Sequence, residues 1–246
     1  MVFNSQSWSS LINKTYSYED KVYSSNNMEL HYSEIFNKIG RYLVCPAFGD
    51  FIELNNKSQP LIKSFIKENS DKFIKLKLTS TFPPSFKNIK VKQEGFIHEI
   101  VFKSHEEWLN SKNLATRFKR YLKPKYLKDL DIRIDYTLET LYEFWKLHTQ
   151  LRINKFKEIP QPKLFFKNLY HNYFKDKNGF IIGAFLEKTL VAGVLALVDD
   201  RKCYYKFNAS RSDSLMYRPN NHIISKLIEE AAKRNISTLN LGYTGD

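Results

Sequence analysis

The stretch Cys203 to Ser210, CYYKFNAS, sets a lysine, phenols and an amide into an aromatic run. Strand alternation places Tyr204, Lys206 and Asn208 on one face and Tyr205 and Phe207 on the other. A cation in such a strand is costly to bury without a partner, so Lys206 is the first candidate for chemistry, with Tyr204 beside it and Asn208 as a polar contact. The same tyrosines also read as packing aromatics, and the lysine as a solvated strand residue. A second candidate is the run from Lys112 to Lys128, which carries seven positive side chains, Arg117 and Arg120 among them, and no acidic one. Part of that charge complements the carboxyl end of a helix; as a whole it reads either as a solvated face or as a wall that faces phosphate. Arg218, in the turn Met216 to Asn221, is a third candidate for touching an anion.

The whole chain is basic as well: 39 Lys and Arg against 26 Asp and Glu give a formal charge of +13. Such a balance suits polyanionic partners, such as RNA, nucleotide-linked substrates or anionic lipid headgroups. Only nine of the 39 are arginine, so a lysine-rich solvated surface accounts for much of the same total. Two cysteines, Cys45 and Cys203, sit far apart and read as small buried hydrophobes. The six histidines show no metal-ligand spacing. The longest apolar run, Leu190 to Val198, is interrupted by Gly193 and falls far short of the roughly 20 residues a membrane-spanning helix needs. The opening MVFNSQSWSS lacks a basic and apolar leader, so the expected compartment is the cytoplasm.

The elements that must position these residues follow from periodicity. Between Asn55-Asn56 and Pro83-Pro84, IKLKL (Ile74 to Leu78) alternates as a strand, and FIHEIVF (Phe96 to Phe102) predicts another. Ser104, with Glu107 three residues on, is a capping box opening a helix that should run to about Leu122, ahead of Pro124. DIRIDY (Asp131 to Tyr136) predicts a strand closing a first half, which sets a domain boundary near residue 135 and domains of 1–135 and 136–246. Thr137 caps an amphipathic helix bearing Leu138, Leu141, Trp145 and Leu147 or His148. A further helix after Pro162 uses Leu164, Phe165, Leu169 and Phe174 and leaves through Gly179. Three strands, Phe180 to Leu186, Leu190 to Val198 and Lys202 to Asn208, should form an antiparallel meander. A helix from about Asn221 to Arg234, with Asn220 or Asn221 as its cap, and a strand at Thr238 to Leu241 complete the pattern. Ending directly after that strand leaves an edge unpaired, from which we expect a truncated sequence.

Helix, helix, three antiparallel strands, helix, strand is the order of a GNAT-type acyltransferase domain. YYKFNAS followed by YRPNNHIISKLIEEAAKRNISTLNLG (Tyr217 to Gly242) resembles the FemABX-like group. VFNSQSWSSLI resembles that group's opening, and YLVCPAFGDF (Tyr42 to Phe51) resembles its "slPf.dy" segment, which carries Asp50 over as a substrate contact. His98 to Arg120 resembles the strand and basic "R..irKA" helix, on which Arg117 and Arg120 fall; here that helix reads Phe118-Lys119-Arg120-Tyr121. The "DfG" strand reads Asn240-Leu241-Gly242, with asparagine where aspartate is usual. The resemblance implies an α/β (α+β) fold of two GNAT-like halves, each a mixed, mainly antiparallel sheet flanked by helices, around a central cleft.

It also implies a chemistry. Transfer of an acyl or aminoacyl group to an amine needs a neutral nucleophile, since free lysine-like amines titrate near about 10.4, together with donors for the oxyanion and positioning of both substrates. GNAT-like sheets supply the donors by splaying two strands, which here would free amides of Cys203 to Asn208. The candidates for catalysis are Lys206 and Tyr204, and those for substrate are Asn208, Arg218, Arg117, Arg120 and Asp50; the resemblance makes the cationic ones plausible contacts for a substrate phosphate or a polarised carbonyl. The acceptor would be a nucleotide-linked or lipid-linked amine such as a cell-envelope or peptidoglycan precursor. The donor is either aminoacyl-tRNA or acyl-coenzyme A, with no resident cofactor and no metal. Coenzyme A enzymes place a glycine-rich turn before the helix that binds pyrophosphate, whereas Met216 to Asn221 holds no glycine, which moves weight toward tRNA. From another class comes a basic, aromatic RNA-binding module without catalysis.

Overall fold

The computed structural model describes residues 1–25, 27–53, 56–72, 75–81, 95–127 and 129–245. The chain divides into two compact units, Met1–Ile97 with Tyr243–Asp246, and His98–Gly242. The division falls well before residue 135.

The first unit opens with α1 (Gln6–Tyr16), capped by Ser5 through its hydroxyl, and continues through β1 (Glu19–Ser25), β2 (Met28–Asn37) and β3 (Gly40–Cys45). After α2 (Gln59–Asn69) comes β4 (Lys75–Leu78), the strand read from the IKLKL alternation. The sheet order is β1-β2-β3-β4, with the first three antiparallel and β4 parallel to β3 across the α2 crossover. Leu30, Leu43, Cys45 and Ile52 meet Leu61, Ile62 and Phe65 of α2 in one apolar cluster. The pairs Asn55-Asn56 and Pro83-Pro84 and the residue Ile74 fall wholly or partly outside the described residues.

The second unit carries the larger sheet. Its elements are β5 (Gly95–Val101, from His98 on), α3 (His105–Asn110), α4 (Thr116–Tyr121), β6 (Asp131–Asp135), α5 (Leu138–Leu151), α6 (Lys163–Leu169), β7 (Gly179–Leu186), β8 (Thr189–Val198), β9 (Cys203–Ser210), α7 (Pro219–Lys233) and β10 (Thr238–Gly245, as far as Gly242). Strand order is β5-β10-β9-β8-β7-β6, with β6 to β9 antiparallel and β10 parallel to β9. The meander is as expected. β6, read as closing a first half, instead pairs with β7 from Asp131↔Phe185 to Asp135↔Ile181 and so belongs to this sheet. β10 is no edge, because it lies between β5 and β9.

Helices cover both faces of the larger sheet. α5 and α6 pack on one side and α7 on the other, with α3 and α4 against α7. β7 and β8 are buried along almost their whole length, which fits strands covered on both faces. Thr137 caps α5 by accepting the Thr140 amide at 3.2 Å. The deeply buried residue of α5 is Phe144 rather than Trp145, whose indole donates to the Gln161 carbonyl at 3.3 Å; truncating a ring buried like Phe144 costs about 3–5 kcal/mol. In α6, Phe166 is buried and Leu164 faces out. Lys177 takes the left-handed conformation expected of Gly179, while Gly179 begins β7 where a β-carbon would meet the Phe174 ring at 2.7 Å.

The helix expected to run to Leu122 is broken. Ser104 caps α3 as its capping-box pattern requires, accepting the Glu107 amide at 3.1 Å, but Ser111 ends it in an extended conformation. Ser111 then accepts the Asn113 amide at 3.2 Å, a local bond that competes with the helical ladder. Lys128 lies outside the described residues.

Candidate active site

β9 pairs with β8 along its whole length but with β10 only at Leu239↔Cys203 and Asn240↔Tyr204. From Tyr205 to Ser210 no described strand pairs with its other edge. The Arg211 amide donates to the Val191 carbonyl at 2.8 Å, so in the antiparallel alternation the peptide groups of Asn208 and Ser210 turn away from β8, onto that open edge. The opened segment is therefore Tyr205 to Ser210, since Cys203 and Tyr204 are still paired.

Lys206 is the extra residue of a β-bulge. Leu195 pairs with Phe207 and Ala196 with Tyr205, which leaves Lys206 without an opposite number on β8. The bulge resets the alternation, so Tyr204, Lys206 and Asn208 do not share a face as period two predicts. Tyr205 packs with Cys203 on the α7 side, and Asn208 follows it there. Phe207 turns to the other side, 4.9 Å from the His148 ring and 6.1 Å from Phe165 and Phe166. The Lys206 ammonium lies 5.3 Å from the Phe207 ring centroid.

Tyr204 is buried, and its hydroxyl donates to Asp199 at 3.2 Å, tying the strand to the β8–β9 turn. Asn208 is exposed. His148, which the sequence offered only as one option on the apolar face of α5, lies beneath the bulge with Nε2 3.0 Å from Gln161. Burial pushes its pKa down, with Gln161 opposing. Burial also pushes the Tyr205 phenol up.

The bases of β9 and β10 are joined by a polar knot absent from the sequence reading. Lys202 and the Asn240 amide both donate to Glu99 Oε1, at 2.7 and 3.1 Å, and Asn240 Oδ1 accepts the Gly242 amide at 2.9 Å. Burial raises the Glu99 pKa, but those two donors outweigh it and hold the carboxyl below its ordinary value.

Three of the anion candidates converge. Arg117 and Arg120 of α4 and Arg218 at the start of α7 surround Tyr121, with guanidinium carbons 5.7, 5.1 and 4.7 Å from its ring centroid. Asp50 lies in the loop after β3, in the first unit. The cap of α7 is Arg218 in a left-handed conformation, not an asparagine, and Asn220 accepts the Ser210 hydroxyl at 2.9 Å. The helix start is a poor backbone cradle for pyrophosphate: Pro219 has no N–H and the Asn221 amide is bonded to Arg218 at 3.1 Å. Among the described residues, no group of three or more His, Cys, Asp and Glu is placed to hold a metal ion, and no helix is long and apolar enough to cross a membrane.

The model of the acetyltransferase (GNAT) domain family matches residues 111–246, more than half of the chain. The chain belongs to that family. The match takes in α4, the meander, the β9 bulge and α7 of this GNAT domain. Solved structures resemble the fold over a longer span. FemX aligns with a TM-score of 0.71 at 10% identity, over 100% of this chain and 84% of that one. A conserved protein of unknown function from Bacteroides thetaiotaomicron gives 0.60 at 8% identity, over 96% and 80%. The C-terminal domain of a putative lysylphosphatidylglycerol synthetase from Agrobacterium fabrum gives 0.58 at 10%, over 98% and 75%. At these identities the likeness establishes the shared GNAT-like fold alone. No curated protein matches the sequence.

Proposed function

We propose that this GNAT-family acyltransferase moves an aminoacyl or acyl group onto the amine of a nucleotide-linked or lipid-linked acceptor, such as a cell-envelope precursor. The observation that carries the reading is the open edge of β9 beyond the Tyr204↔Asn240 pair. Preformed N–H donors directed at a reacting carbonyl stabilise the charge that develops there, and each such donor is typically worth about 2.7–4 kcal/mol in the transition state. The Asn208 and Ser210 amides are the donors on that edge. Lys206 projects from the bulge between them and the paired base of the strand, where its charge favours a polarised carbonyl or a substrate phosphate. The amine nucleophile must lose a proton before attack.

Aminoacyl-tRNA is the favoured donor because the start of α7 offers so few free amides for pyrophosphate, while acyl-coenzyme A remains the alternative. One fold neighbour is named for lysylphosphatidylglycerol, which keeps a lipid-linked acceptor within the reading. The test incubates the full chain with aminoacyl-tRNA or acetyl-coenzyme A, each in the presence of nucleotide-linked and lipid-linked amines, and identifies products by mass spectrometry. Transfer from one donor is expected. Folded protein that acylates no amine from either donor defeats the reading.

A further inference from the structure

Charge is balanced differently at Tyr121 from around most of the arginines, Arg201 being the other one without an ion pair among the described residues. Five of the nine arginines sit in ion pairs, Arg41 with Glu34, Arg133 with Asp131, Arg152 with Glu158, Arg211 with Asp213 and Arg234 with Glu230. Arg117, Arg120 and Arg218 have no carboxylate partner among the described residues, yet all three gather over one ring. Arg117 Nε and Arg120 Nη2 also donate to the Tyr121 hydroxyl, at 3.3 and 3.4 Å. Three guanidiniums so placed lie within about one Debye length of each other and repel.

The fold holds them there. Trp108 of α3 meets Phe118 of α4 edge-on at 5.6 Å, His105 Nε2 lies 2.9 Å from the Ser225 hydroxyl of α7, and His222 of α7 is buried beside the Tyr121 backbone. The cluster is thus fixed by packing, and its side chains remain exposed at its rim. A planar guanidinium presents paired donors that match phosphate oxygens, which makes arginine the side chain suited to such an anion.

We propose that Arg117, Arg120 and Arg218 form a single phosphate-binding site with the Tyr121 ring as its floor, taking a phosphate group of a phosphorylated substrate. The inference rests on the transferase reading only for which substrate brings the phosphate, a tRNA phosphodiester or the phosphates of coenzyme A.

Tyr121 gives the site a built-in competitor. Hydrogen bonds from Arg117 and Arg120 draw its phenol down to about 8, with the charges of Arg117 and Arg218 adding to the effect. Its surroundings are those three arginines from α4 and α7, Tyr126 edge-on at 5.2 Å with the Lys125 ammonium over it, and His222 at its backbone. Once ionised, the phenolate occupies the same guanidiniums that a phosphate needs. Phosphate affinity therefore falls as pH rises through about 8.

The test titrates the full chain with inorganic pyrophosphate by calorimetry in low salt at pH 7 and pH 9. The triple variant R117Q/R120Q/R218Q should bind about tenfold or more weakly at pH 7, and each single variant should weaken binding by less. A charge-matched variant on the first unit, K63Q/K67Q/K72Q, should bind as the parent does, whereas an equal loss there reduces the effect to general charge and overturns the proposal. Tyr121→Phe should retain binding at pH 7 and lose the decline at pH 9. Competition by deacylated tRNA or by coenzyme A supports the site and names the source; competition by neither makes it an adventitious anion site and overturns it. Pyrophosphate binding needs no turnover, so intact binding without acyl transfer defeats the transferase reading and leaves this site standing.

Discussion

Asn240 donates its side-chain amide to Glu99 Oε1 at 3.1 Å, joining residues 141 positions apart. This bond accounts for an asparagine at the place where the FemABX-like pattern carries aspartate. Glu99 needs a donor, and an aspartate would set a second carboxylate against it at a position only 1% exposed.

Asn240→Asp should therefore destabilise the protein by about 1–3 kcal/mol at pH 7, with Lys202 recovering part of the loss. The Glu99 pKa is held below 4.5 in the folded chain, so its ionised form stabilises above about pH 4.5, and that contribution fades as pH falls through the folded value. The penalty of Asn240→Asp should shrink over the same acid range and disappear in Asn240→Asp/Glu99→Gln. Thermal denaturation from pH 3 to 7 reads both effects, and an unchanged melting temperature in Asn240→Asp overturns the account.

Lys206→Ala should abolish acyl transfer while leaving the melting temperature nearly unchanged, because the lysine is the bulged residue that the β8–β9 register skips, outside the regular ladder. A product assay alongside circular dichroism separates the two readouts. Loss of fold in place of activity assigns Lys206 to structure.

His222 is 5% exposed, and burial lowers its pKa from 6.5 against a smaller upward pull from the Tyr121 backbone. Its neutral ring contributes stability that is complete above about pH 6.5 and is lost as pH falls through the folded value. His148 and His105 shift the same way, each chiefly through burial. The melting temperature should fall from pH 7 to pH 5, and His222→Leu should lessen that fall. An identical pH slope in the variant removes His222 from the explanation.

At Gly193 a β-carbon would meet Phe144 Cδ2 at 3.1 Å, so α5 rests on β8 through this glycine. Gly193→Val should cost about 1–3 kcal/mol by overpacking. Thr137→Ala, which removes the α5 cap, should cost about 1 kcal/mol. Denaturant midpoints measure both, and a neutral Gly193→Val means that the helix can shift to make room.

Local sequence determined where the elements lie. Alternation in IKLKL and FIHEIVF, caps at Ser104 and Thr137, and the short turns between β7, β8 and β9 are written within a few residues of each other, where backbone sterics and side-chain capping act. Tertiary structure decided which way the candidate residues point and which of them meet. Period two put Tyr204, Lys206 and Asn208 together, but pairing against β8 inserted Lys206 as a bulge and reversed the faces beyond it. Arg117 and Arg120 were visible as charges, yet their meeting with Arg218 at Tyr121 depends on α4 packing against α7, and the pairing of β6 with β7 on a strand far along the chain. Register and helix packing are set by contacts between distant segments, and a periodic pattern within one segment does not encode its partner.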